Sequence, residues 1–201
     1  MPNPTKENTA SFKSAKELSK WLSQYHAKEN ELWVKVYKKG SGVPSVTWND
    51  IVLETLCWGW IDGVKKSLGD DAYLQRITPR KRNSAWSKRN TEHDERLIEE
   101  GRMKKSGLLH IEAAKADGRW ENAYAPASQM EVSKDFIAAV RKKPKLREFY
   151  ETLNKSSRYA IAYGLETAKK PETRQRRFDK FMYMLSQKEV PGFGFKTKKK
   201  T

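Results

Sequence analysis

The segment from Thr47 to Gly63, TWNDIVLETLCWGWIDG, changes its hydrophobic period partway along, and that change limits the folds open to the chain. Thr47 stands three residues before Asp50, the spacing of a helix cap. Trp48, Ile51, Val52, Thr55 and Leu56 then fall on one helical stripe. Gly59 stands where such a helix stops, because glycine enters the left-handed conformation without steric cost. Beyond it, WIDGVKK and AYLQRIT read as two short strands, separated by SLGDD with its turn-like polar and glycine content. A helix running directly into a hairpin belongs to an α+β module and not to a parallel repeat of strands and helices.

Upstream, Ser14 and Glu17 form a capping pattern, and Leu18, Trp21, Leu22 and Tyr25 recur at helical spacing. In ELWVKVYKKG, Val34 and Val36 alternate with Lys35 and Tyr37, which predicts a strand. Downstream, TPRKRNSAWSKRN is a basic loop or edge strand, and the rest is helical in pattern. The predicted helices are TEHDERLIEEGRM, with Thr91 and Asp94 at capping distance, SGLLHIEAAKADG, SKDFIAAVRKK, PKLREFYETLN, SSRYAIAYGLETAKK and PETRQRRFDKFMYMLSQ. The expected architecture is an α+β module over residues 12–90, built on a small antiparallel sheet, and a helical bundle over residues 91–187. Residues 1–11 and 188–201 are expected to be disordered tails.

Composition narrows the class. A chain with 37% hydrophobic residues and seven tryptophans can build a core, while 33% charged residues give it a polar surface. One cysteine leaves no internal disulfide, and the polar, proline-broken N-terminus has no apolar stretch of a secretory signal, so a cytoplasmic protein is expected. The net charge is +16, of which +12 lies from Arg141 onward. Such a field attracts polyanions whatever their sequence.

Five motifs stand in order along the chain: LCWGWIDG, YLQRITPRKRNSAWSKRN, GRM, AAKADGRW and SSRYAIAYGLETAKKPETRQRR. Together they resemble the YdeI/OmpD-associated family, also described as bacteriocin-protection proteins, from about Trp21 to Leu185. The resemblance implies a link to an outer-membrane porin and to survival of bacteriocins or cationic antimicrobial peptides. It carries over no catalytic residue. Without an export signal, direct contact with a porin is not expected of this chain.

The candidate residues each have a structural reading beside the functional one. Cys57 lies at the C-terminal end of its predicted helix, where the dipole disfavours a thiolate, so it reads as a small buried hydrophobe. Asp62 reads as a turn or cap acceptor and not as a general base. His26, His93 and His110 are scattered and match no metal-ligand spacing, so no metal and no cofactor is expected. Arg76, Arg80, Lys81, Arg82, Lys88 and Arg89 surround Trp86 with no acid between Arg76 and Asn90, which suits phosphates and a stacked base. An edge with solvated cations and a core tryptophan fits the same residues. Arg174, Arg176 and Arg177 form a second cationic group, in the first turns of a helix where cations are unfavourable.

The function expected from these readings is a non-enzymatic stress- or bacteriocin-protection protein whose basic surface binds an anionic partner, nucleic acid or another polyanion. The rival is a small-molecule-binding protein or enzyme with a pocket between sheet and bundle. Trp58, Trp60, Asp62 and Trp86 would line it and Arg76 and Arg80 would anchor an anion. A third possibility is an adaptor using an apolar patch on the last helices.

Overall fold

A computed structural model describes residues 3–126, 129–168 and 170–192. The fold is α+β, with a sheet in the N-terminal half and helices thereafter. The chain separates into two compact units, residues 1–123 and 124–201.

The first unit runs β1 (Thr9–Ser11), α1 (Ala15–Tyr25), β2 (Leu32–Tyr37), a 3-10 turn (Lys39–Ser41), α2 (Trp48–Cys57), β3 (Trp60–Ser67), β4 (Ala72–Pro79), α3 (Lys88–Glu99) and α4 (Lys105–Ala116). Among the described residues the sheet order is β1-β2-β4-β3. The β3–β4 hairpin and the β2–β4 pair are antiparallel, with Trp33 opposite Arg76 and Asp62 opposite Ile77. β1 pairs in parallel with β2, so the sheet is mixed where a purely antiparallel one is predicted. The expected N-terminal tail is corrected at Thr9–Ser11 by the same pairing. Three residues carry too short a pattern to announce a strand whose partner lies more than twenty positions away. Of the expected tails, residues 1–2 and 193–201 lie outside the described residues.

Helix α2 is the centre of this unit. Its predicted cap is present in full: the Thr47 side chain accepts from the Asp50 N–H and the Asp50 carboxylate accepts from the Thr47 N–H. Every residue from Ile51 to Cys57 is buried, so the helix carries apolar surface on opposite sides and separates two cores. Ile51 joins Leu18, Leu22, Val34, Trp60 and Ile77 between α1 and the sheet. Val52, Leu53, Leu56 and Cys57 join Trp86, Leu97, Ile111 and Ala114 on the side of α3 and α4. Helices α3 and α4 therefore belong with the sheet-bearing unit, and the division falls after Ala123 and not at residue 90.

The end of α2 is shaped by two glycines. Gly59 has φ +72°, as expected for a helix stop, and a Cβ there would lie 2.7 Å from the Ser106 carbonyl oxygen. A Cβ on Gly107 would lie 2.6 Å from the Cys57 carbonyl oxygen. Only bare backbone lets the start of α4 approach this closely. The Lys104 N–H, at the N-cap of α4, donates to that Cys57 carbonyl at 3.0 Å, so the tail of one helix satisfies the head of the next.

The second unit contains α5 (Lys134–Arg141), α6 (Pro144–Glu151), α7 (Lys155–Glu166) and α8 (Pro171–Ser186). Phe136, Val140, Leu153, Ile161, Leu165, Phe181, Met184 and Leu185 form its core. Pro171 takes the first turn of α8 as its fixed φ favours. Lys169, read from sequence as ending a helix, lies outside the described residues.

Candidate functional site

The segment after β4 is held by side chains and backbone from several elements of the first unit. The Arg80 N–H donates to the Gly59 carbonyl at 2.9 Å, tying the end of the hairpin back to the α2 stop. The Arg80 side chain is buried, its guanidinium 3.6 Å from the centroid of the Trp86 ring, and its Nη1 donates to the Ala85 carbonyl at 3.1 Å. From the far side, buried Arg119 donates through Nη1 to the Ser84 carbonyl at 2.9 Å, while its Nε is held by both oxygens of Asp117. Two inward arginines thus fix successive carbonyls of one loop. Trp86 is 2% exposed and packs against Trp120, so its ring is core and offers no face to a base.

Helix α3 starts earlier than its pattern suggests. Its N-cap is Ser87, whose side chain accepts from the Asn90 N–H, so Thr91 and Asp94 lie inside the helix and not at its cap. Asp94 faces inward and is fully buried. Neither of its oxygens has a hydrogen-bond partner among the described residues, and the same holds for Trp86 Nε1 and Ser106 Oγ. Burial pushes the Asp94 carboxyl up to about 7, against the opposing charge of Arg80.

The outward residues make a different cluster. Trp48, at the start of α2, is 36% exposed, and its indole N–H donates to Asp62 Oδ2 at 3.1 Å. Asp62 is accordingly an acceptor for a side chain as well as for its own backbone N–H. Its carboxyl is raised by burial, offset by that bond and by the charges of Arg80 and Arg89. The Arg89 guanidinium lies 4.7 Å from the Trp48 ring centroid, and its Nε donates to His93 Nε2 at 3.3 Å. Arg96 Nη2 stands 3.5 Å from His93 Nδ1. Burial, then the charges of Arg89 and Arg96, hold the His93 imidazole below its ordinary range. Lys81, Arg82 and Lys88 are exposed beside this cluster in sequence.

The remaining candidates are dispersed. Arg76 is half-buried and its Nε donates to Glu31, which also accepts from Asn8 and the Trp33 indole. Trp60 is 1% exposed with its N–H on the His26 carbonyl, so it is core. Trp58 is half-buried, its ring 4.7 Å from that of His26 and its N–H toward Ser19 Oγ. Cys57 is buried, and that burial first, then Glu54, pushes its thiol up to about 12. Among the described residues no group of three or more His, Cys, Asp or Glu side chains is placed to hold a metal. No helix there is long and apolar enough to cross a membrane.

In the second unit, Arg174 pairs with Asp135 at 2.8 Å and reaches Ser133, on the first turn of α5. The Ser133 hydroxyl first, then Arg174, holds the Asp135 carboxyl below its usual range. Arg177 Nη1 donates to the Gly164 carbonyl at 2.7 Å and to Thr167, where a cation complements the C-terminal end of α7. Their unfavourable places on α8 are therefore offset by other helices. Arg176 is exposed. Sequence reading passed over Arg119 and Asp94 as site residues, assigned Trp48 to a core stripe, and did not single out Arg141, Lys142, Lys143 and Lys145, all exposed around the α5–α6 turn. The run RKKPK was the available signal for the last group.

Residues 10–110 match the family model described as "Domain of unknown function (DUF8412)", and residues 129–188 match "Bacteriocin-protection, YdeI or OmpD-Associated". The first match lies within the first unit and the second within the second. LCWGWIDG, YLQRITPRKRNSAWSKRN and GRM fall in the former, AAKADGRW between the two, and SSRYAIAYGLETAKKPETRQRR in the latter. No curated protein and no solved structure matches the chain significantly.

Proposed function

This chain belongs to the family described as a domain of unknown function (DUF8412) and carries a Bacteriocin-protection, YdeI or OmpD-Associated region; on that premise we propose that it binds a polyanion through the loop between β4 and α3. The observation that carries this reading is the pinned loop. Buried Arg80 and Arg119 hold the Ala85 and Ser84 carbonyls from beneath, while Lys81, Arg82, Lys88 and Arg89 stand exposed. A backbone already held loses little freedom on binding, and its guanidinium and ammonium groups complement phosphates. The exposed cations of the α5–α6 turn suit the same class of partner.

Such binding releases counterions, so affinity for inorganic polyphosphate should fall linearly with salt on logarithmic axes. Changing Lys81, Arg82 and Lys88 together to Ala should make that slope shallower by about 3, roughly one for each lost phosphate contact. A flat salt dependence, or an unchanged slope in the triple variant, would remove the reading.

A second reading has its own observation. Trp86 Nε1, both Asp94 oxygens and Ser106 Oγ are buried in the first unit without hydrogen-bond partners among the described residues, and a small polar ligand would supply the partners that buried polar groups ordinarily have. A ligand of that kind should raise the melting temperature in a metabolite screen. No shift for any compound would count against it.

A further inference from the structure

We propose that Trp48 and the Arg89–His93–Arg96 row of α3 form a stacking platform for single-stranded nucleic acid. The inference rests on the polyanion reading above and names the ligand class and the residue that would select it.

Trp86, the tryptophan that the sequence surrounds with cations, is closed to a base by its burial. Trp48 is the aromatic that the fold presents instead. Its ring is partly exposed, it is fixed at the indole N–H by Asp62, and the Arg89 guanidinium lies against it. A ring held this way needs little further ordering to receive a flat ligand. Asp62 Oδ2 is engaged by the indole N–H.

Arg89, His93 and Arg96 follow one face of α3, spanning about 10 Å along its axis. Each ring nitrogen of His93 faces one arginine, and an imidazole has at most one accepting nitrogen, so it can receive a hydrogen bond from only one of the two. Arg96 also stands 3.6 Å from exposed Glu100, a weak surface pair that an incoming phosphate can displace. An aromatic face beside two arginines on one helix face is the arrangement that holds an unpaired strand: bases stack on the ring and the backbone follows the charges. In a duplex the base faces are already stacked on one another, and the ring has nothing to receive.

The test uses the full chain with two probes, a fluorescein-labelled oligothymidylate of about 16 nucleotides and inorganic polyphosphate, which has charge and no bases. Trp48→Ala should weaken oligothymidylate binding roughly 5- to 100-fold, the range for one lost base stack. Polyphosphate binding should stay within about twofold of wild type, since no phosphate contact is removed. Trp48→Phe, which keeps an aromatic face but loses the indole N–H that Asp62 holds, should restore part of the oligonucleotide affinity and guards against a folding defect in the alanine variant. Equal loss for both probes, no loss for the oligonucleotide, or no rescue by phenylalanine would overturn the platform. If polyphosphate binds with the expected salt slope while Trp48→Ala changes nothing, the platform fails and the polyanion reading stands. If neither probe binds the wild-type protein, both fall.

Discussion

The arginines around Trp86 in the first unit and the arginines that open α8 share one sequence pattern, cations clustered near a helix start. Their side chains are put to different uses. Around Trp86, Arg80 turns inward to stack on the ring and hold a carbonyl, and its neighbours Lys81 and Arg82 remain exposed. On α8, Arg174 and Arg177 reach acceptors on α5 and α7, leaving Arg176 outside. A cation count therefore does not measure a binding surface. Part of each cluster is internal scaffolding, and the part left over is what a partner can meet.

The largest test of this division concerns the carboxylate buried beside the inward arginine. The folded-state pKa of Asp94 is raised from 3.8 to about 7, so its contribution to stability is fully present below about pH 4 and is lost as pH rises to about 7. The loss at pH 8 should be on the order of 4 kcal/mol at most, and Asp94→Asn should escape it. Urea unfolding of both proteins between pH 4 and pH 8 measures the difference; parallel curves would show that Asp94 is solvated or paired in solution.

Next in size is the contrast between neighbours. Arg80→Ala removes a buried stack and a charge-assisted hydrogen bond and should cost roughly 3 kcal/mol in a denaturant midpoint analysis, whereas Arg82→Ala should change stability by under about 0.5 kcal/mol. Equal effects would erase the distinction between scaffold and surface. The same contrast on α8 should be smaller. Arg177→Ala removes a cation and its hydrogen bond from the end of α7 and should cost about 1 kcal/mol, with Arg176→Ala near zero. A larger loss for Arg176 would mean that its exposed position hides a partner.

Much of the secondary structure was legible because its signals are local. The Thr47–Asp50 cap, the Gly59 stop and the hairpin of β3 and β4 each depend on residues within a few positions of one another, and all are present. The start of α3 was not, since Ser87 and Thr91 are both acceptable caps and only the hydrogen bond from Asn90 decides between them. The candidate site was legible as a region and not as a set of side chains. The basic segment was found, but the partner that fixes its loop, Arg119, lies 35 positions from Ser84 and was visible only as part of a motif without a role. Trp48 and Trp86 carry the same ring, and nothing near either one says which faces solvent.

The sequence by itself determined where α2 begins and stops, that a hairpin follows Gly59, and that cations exceed acids most strongly from Arg141 onward. These are properties of neighbouring residues, set by backbone sterics, local hydrogen bonds and arithmetic. Only the tertiary structure decided that α2 would be buried between two cores, that α3 and α4 would join the sheet-bearing unit, and that Arg80 and Trp86 would point in while Arg89 and Trp48 stay at the surface. A long side chain that is part apolar and part charged can be satisfied in either place, and the choice is made by carbonyls and rings that only folding brings within reach.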